Sequence, residues 1–219
     1  MREERFFNYS ISSKLGVGMF GEVSKVKRLT DGRSFAMKLI KEGILRSNPR
    51  LLQMVNHEVT GMVGHYHPNM VTLHDAFRIK GDYFLIYELC EPQSLKTRMR
   101  NEGTWSEERL FDLTKSMLKA LKDLHSMKIL HRDIKPDNIL MKKGEYKLAD
   151  FGLCYRGGAH HDNDLIGSPA YLAPEIFKRR YYSEKSDVYA LGITIFELYV
   201  GKYPFDQKNE QALLKRKTE

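Results

Sequence analysis

The chain has 219 residues, 42% of them hydrophobic and 29% charged, a balance that excludes collagen-like and disordered classes and fits one or two compact soluble units. The formal net charge is +8, but Lys and Arg are scattered among Asp and Glu rather than gathered in a stripe, so no nucleic-acid partner is expected. Two cysteines, Cys90 and Cys154, are too few for a disulfide framework or a zinc cluster and read as packing residues in a reducing compartment.

The first seven residues mix both charge signs and never form the apolar run of a secretory signal, so a cytoplasmic or nuclear location is expected. From Tyr9 to Tyr87 short β-branched and apolar runs alternate with turn signals. Asp31-Gly32 separates runs at 22–29 and 34–40 as a hairpin would, and Gly81-Asp82 precedes a strand at 83–87. Between them, residues 49–64 carry Leu52, Val55, Val59, Met62 and Val63 near helical spacing, a single helix within a small sheet unit. After Pro92 helices dominate: Ser106 reads as an N-cap, and Leu110, Leu113, Met117, Leu121 and Leu124 form one apolar stripe. The longest apolar stretch, 188–200, contains Gly192 and Glu197 and is too short to span a bilayer; it reads as a buried core helix, and no membrane anchor is expected. The basic clusters Lys178-Arg179-Arg180 and Lys215-Arg216-Lys217 carry no functional reading.

Chemistry-bearing residues fall in a fixed order. Gly16, Gly18 and Gly21, between two predicted strands, let backbone amides approach a phosphate; the strand that follows argues against a Rossmann turn, which would open a helix. Lys38 sits on the next strand among Ala36, Met37, Leu39 and Ile40, where an ammonium ion wants a partner, and Glu58 on the following helix can supply it. Asp133, Lys135 and Asn138 share one loop: an acceptor for a hydroxyl proton, a cation for a phosphoryl group and an oxygen ligand for Mg²⁺. Asp150-Phe151-Gly152 adds a carboxylate for metal, with a glycine expected to let the chain turn, and Ala173-Pro174-Glu175 follows.

Taken in order, these motifs resemble the eukaryotic protein kinases across essentially the whole chain. The resemblance implies an α+β, bilobal fold forming one kinase domain: a small sheet-rich N-lobe at 1–87, a hinge at 88–92 and a larger helical C-lobe at 93–219. It implies ATP and Mg²⁺ as ligands and a protein as substrate, and it names no regulatory partner. Leu15, Gly16, Val17, Gly18 and Gly21 would cover the nucleotide, Lys38 and Glu58 would form the phosphate-holding ion pair, and Asp133 would be the base with Lys135 beside it. Asn138 and Asp150 would bind Mg²⁺; Val23, Ala36 and Leu140 would sandwich adenine; and Glu88 and Cys90 would hydrogen-bond it through their backbones. Tyr87 would guard the back of the pocket. Met62, Leu73, His131 and Phe151 match the column that links the lobes in active kinases, and Asp187 matches a buried carboxylate that receives catalytic-loop amides. Lys135 with Gly167-Ser168-Pro169 resembles serine/threonine rather than tyrosine kinases. The stretch from Glu88 to Leu95 also resembles the Wee/Myt inhibitory cell-cycle kinases, although Gly167-Ser168-Pro169 departs from their pattern.

The family's large lobe continues with helices beyond Tyr203-Pro204-Phe205, whereas this chain stops at Glu219. The C-lobe is therefore expected to lack its last helices, to expose apolar surface and to leave Glu175 without the arginine it pairs with in the family. That motivates an alternative, a non-catalytic nucleotide-binding scaffold, against which Lys38, Asp133 and Asp150 are all present. A small-molecule kinase is disfavoured by Ala173-Pro174-Glu175. Finally, residues 150–167 contain no serine or threonine, and family spacing points to Asp164 as the carboxylate that replaces an activating phosphate opposite Arg132.

Overall fold

Two compact units make up the chain, residues 1–67 with 71–92 and residues 68–70 with 93–219, in a computed structural model that describes residues 5–6, 8–18 and 21–205. Met19, Phe20 and the Lys215-Arg216-Lys217 cluster lie outside the described residues.

The first unit contains β1 (Arg5–Phe6), β2 (Tyr9–Gly18), β3 (Gly21–Arg28) and β4 (Ser34–Ile40), then α1 (Glu42–Ser47), α2 (Pro49–Met62), β5 (Leu73–Ile79) and β6 (Asp82–Glu88). The strands form one antiparallel sheet in the order β1-β2-β3-β4-β6-β5. Both expected turns are present, with Gly32 at φ 71° and Gly81 at φ 90°, in the region glycine enters without a Cβ clash. One sheet face buries Tyr9, Val26, Phe35, Met37, Phe84 and Ile86, with Phe77 stacked on Phe84 at 5.2 Å. Two helices occur where the periodicity gave one. The short α1 is too brief to show a period, and Asp82 secures it by accepting the Glu42 N–H at 2.8 Å and pairing with Lys41. Helix α2 starts where Asn48 accepts the Leu51 N–H, just before Pro49 in the first turn.

The second unit contains α3 (Leu95–Glu102), α4 (Glu107–Ser126), β7 (Ile129–Leu130), β8 (Ile139–Lys142), β9 (Glu145–Leu148), β10 (Tyr155–Arg156), β11 (His160–His161), α5 (Pro174–Arg179), β12 (Tyr181–Tyr182) and α6 (Glu184–Val200). Residues 68–70 belong to it because Asn69 bonds Tyr146 and Leu148, and Met70 bridges to Leu148. Ser106 caps α4 as expected, accepting from the Arg109 N–H, and the whole stripe from Leu110 to Leu124 is buried. The two-residue pairs β7/β10 and β11/β12 have no signature of their own in the sequence, and long-range packing holds strands that propensity cannot, whereas β8 and β9 form a local hairpin turning at Lys143-Gly144. Helix α6 departs from the buried core helix expected of it. Ala190, Leu191, Ile193, Thr194, Glu197 and Leu198 are buried, whereas Val188, Phe196, Tyr199 and Val200 are exposed. Among the described residues no helix is long and apolar enough to cross a membrane.

Candidate active site

Within the first unit, register decides which residues share a face. Ala36 lies opposite Tyr87 and Lys38 opposite Leu85, so these four point to one side of the sheet, away from the aromatic cluster. Lys38 is only 7% exposed and Glu58, on α2, 1%. A buried lysine and a buried glutamate are stable as ions only with partners, so this face is built for charge. The Tyr87 hydroxyl donates to Glu58 Oε1, a bond with no signature in the sequence.

The glycine-rich stretch divides by cause. A Cβ on Gly21 would lie 2.0 Å from the Leu39 carbonyl oxygen, so the pairing of β3 against β4 itself demands glycine there. A Cβ on Gly16 would meet nothing within 4 Å, which leaves that backbone open to approach from outside. Leu15 and Val17 are exposed beside it, Val23 lies on β3 opposite Lys38, and Gly18 pairs with Gly21. Met62 and Leu73 are fully buried in this unit. Glu88, at the end of β6, donates its N–H to Thr72 and accepts the Thr72 N–H on its carboxylate, and Cys90 is half-buried just beyond.

In the second unit the loop after β7 is held from below by Asp187, in the first turn of α6. Its two oxygens accept the N–H groups of His131 and Arg132, each at 2.9 Å, and His125 Nε2 lies 2.9 Å from the same carboxylate. His131 accepts the Asp133 N–H on Nδ1 and donates Nε2–H to the Ala149 carbonyl, which fixes its tautomer; its ring meets Phe151 edge-on at 5.4 Å. Arg132 takes φ 67° and Asp150 φ 61°, left-handed conformations that cost roughly 1–3 kcal/mol each outside glycine. The expectation for Gly152 is thereby corrected: Asp150 makes the turn, because Phe151 must enter the core and be buried.

Asp133 is the centre of this cluster. It is 6% exposed; Oδ1 accepts the Ser168 N–H at 3.0 Å, and Oδ2 meets Lys135 Nζ and Asn138 Nδ2, each at 2.8 Å. Lys135 also donates to Ser168 Oγ at 2.7 Å. Asn138 Nδ2 donates a second bond to the Asp133 carbonyl, so both amide hydrogens are engaged and Oδ1 is left as the side chain's acceptor. That oxygen and the Asp150 carboxylate are hard donors of the kind Mg²⁺ accepts. Leu140, on β8, pairs with Lys147 of β9.

Asp162, not Asp164, meets Arg132, whose Nη1 donates to Asp162 Oδ2 at 3.0 Å and lies 3.3 Å from His160 Nε2. Counting along the chain misses this because β11 pairs with β12 and Asp162 donates its N–H to the Arg180 carbonyl; that pairing carries Asp162 under Arg132 and leaves Asp164 exposed. His160 stacks on Tyr155 at 3.6 Å and on Tyr182 at 5.5 Å, and both tyrosine rings also face the guanidinium. Burial pushes the Arg132 pKa below its usual range, with the Asp162 carboxylate opposing, and burial likewise lowers that of His160. Glu175 is half-buried, and Ser186 Oγ donates to it at 2.9 Å.

The chain matches the protein kinase domain family over residues 9–219. It is 35% identical to the serine/threonine-protein kinase PEPKR2 of Arabidopsis thaliana, over 94% of this chain and 43% of that protein. Identity is 33% to human ribosomal protein S6 kinase alpha-2, over 94% of this chain and 29% of the relative. It is 34% to mouse serine/threonine-protein kinase Nek1, over 92% and 17%. The chain thus spans less than half the length of these relatives.

Proposed function

The chain belongs to the protein kinase domain family, and from that premise we propose that it transfers the γ-phosphoryl group of ATP to serine or threonine hydroxyls of a protein substrate. One observation carries the reading: a buried Asp133 carboxylate is bonded at once to Lys135, Asn138 and the Ser168 backbone. A surface loop gains nothing from confining an acid, a base and an amide this way, whereas a phosphotransferase needs all three.

Asp133 accepts the proton of the attacking hydroxyl as its oxygen bonds to the γ-phosphorus and the bond from that phosphorus to the leaving ADP oxygen breaks. Lys135 lies within 2.8 Å of that carboxylate and offers a cation to the charge spread over the transferred group. Its bond to Ser168 Oγ supports the serine/threonine reading, since it ties the base to the segment that would seat the acceptor residue. In the first unit Lys38, oriented by Glu58, would hold the α- and β-phosphates. The backbone at Leu15, Gly16, Val17, Gly18 and Gly21 would cover them, with Val23, Ala36 and Leu140 against adenine. Glu88 would contribute its carbonyl and Cys90 its backbone. Asn138 Oδ1 and the Asp150 carboxylate would hold Mg²⁺, which supplies neutralisation of phosphate charge when bound. Two protein oxygens suit an ion that shares its shell with phosphates and water, and among the described residues no cluster of three or more His, Cys, Asp or Glu could hold a metal alone.

The test is phosphotransfer from labelled ATP to basic and acidic protein substrates. Asp133→Ala, shown folded, should lose about 10²–10⁴-fold in rate. Equal rates for variant and wild type would reject the reading.

A further inference from the structure

The structure assigns Tyr87 a role as a positioning residue, one that rests on the nucleotide-binding reading above: its hydroxyl fixes the Glu58 carboxylate so that Lys38 stays set for the nucleotide's phosphates. By strand parity Tyr87 stands on the same face of the sheet as Lys38, one residue pair along, because Ala36 lies opposite Tyr87 and Lys38 opposite Leu85. The phenol reaches off this face to Glu58 Oε1 at 2.5 Å. Glu58 is 1% exposed, so water cannot orient it, and a hydroxyl donating to a buried carboxylate makes one of the stronger hydrogen bonds available to a neutral group. With Oε1 held, the rotation of the carboxylate is set, and with it the direction in which Oε2 presents.

A second strut from the same strand shows what is particular to Tyr87. Tyr83, four residues earlier and of the same parity, donates to Asn56 Oδ1 at 3.0 Å. Strand β6 therefore ties α2 at two points, one to an exposed neutral amide and one to a buried charge. Only the second bears on the group that Lys38 needs. If Tyr87 merely filled space at the back of the face, phenylalanine would serve as well, since the ring is the same and only the hydroxyl differs.

The experiment is a double-mutant cycle in the full chain, with Tyr87→Phe, Glu58→Ala, their combination and Tyr83→Phe, reading Mg·ADP affinity by calorimetry together with KM for ATP and kcat. Tyr87→Phe should weaken Mg·ADP binding and raise KM for ATP by about tenfold, the low end of what a hydrogen bond to a charged group contributes. Its thermal midpoint should fall by no more than a few degrees, leaving the variant folded at assay temperature, and Tyr83→Phe should leave affinity unchanged. In the Glu58→Ala background, loss of the hydroxyl should add nothing. Unchanged affinity and KM in Tyr87→Phe, or the same loss with and without Glu58, overturns the assignment. A wild type that binds Mg·ADP yet transfers no phosphate overturns the kinase reading alone, while the binding cycle still decides the role of Tyr87. A wild type that binds no nucleotide overturns both.

Discussion

Arg132 shows how a single residue can set the state of a whole segment. Its guanidinium is buried, and its charge is matched by Asp162, by the His160 ring nitrogen and by the faces of Tyr155 and Tyr182. Removing one partner of such a pair leaves a charge uncompensated and costs up to about 3–5 kcal/mol, so Asp162→Asn should lower phosphotransfer markedly while the exposed Asp164→Asn changes it far less. Steady-state rates of the two variants, made in bacteria and treated with phosphatase, provide the check; equal loss in both would show that the contact between Asp162 and Arg132 has no special part in activity. Gly167 supplies a second prediction. It takes φ 101°, and a Cβ there would lie 2.2 Å from the Arg132 carbonyl oxygen, so Gly167→Ala should displace the loop that carries Asp133 and reduce both rate and thermal midpoint.

Between elements, two ties recur that no local signal encodes. Helix α3 is bound to α6 through Lys96 and Glu197, an ion pair that Tyr171 and Tyr203 complete by hydrogen bonds. Burial, followed by the hydrogen bond to Glu197, pushes the Tyr171 pKa well above its usual range, so the phenol stays a donor at any working pH. Lys96→Ala should therefore destabilise the protein by about 3–5 kcal/mol by leaving Glu197 buried without its counter-ion, and Lys96→Ala with Glu197→Gln should recover part of that in denaturant midpoints. The other tie, β11 against β12, depends on pH through His160. Because burial depresses its folded pKa below the ordinary 6.5, the folded state binds fewer protons than the unfolded one between those two values. The stability it contributes is complete above pH 6.5 and is lost as pH falls through the depressed value. The gap in thermal midpoint between pH 7.5 and pH 5.5 should narrow in His160→Gln; an unchanged gap would show that other groups govern the acid limb.

For the molecule as a whole, the proposed nucleotide binding would be linked to folding. A Mg·ATP analogue at about a hundred times its Kd should add roughly 2.7 kcal/mol of stability and raise the thermal midpoint in proportion to the logarithm of its concentration. Asp150→Asn should remove the part of that rise that requires Mg²⁺. A midpoint indifferent to saturating nucleotide in both proteins would contradict the binding reading.

The sequence by itself determined the protein kinase domain family, because ordered motifs such as His131-Arg132-Asp133 and Asp150-Phe151-Gly152 survive as linear text. It also determined the long elements α2 and α4 and the strands β3, β4 and β6, where periodicity runs over many residues between turn signals. Tertiary structure alone decided what depends on neighbours distant in the chain: the partner of Arg132, the residue that turns at Asp150, the two-residue strand pairs β7/β10 and β11/β12, and the bond from Tyr87 to Glu58. The physical reason is the same for each. A two-residue strand or a single hydrogen bond carries too little local free energy to leave a pattern in the sequence, and it exists only because packing elsewhere has already brought its two ends together.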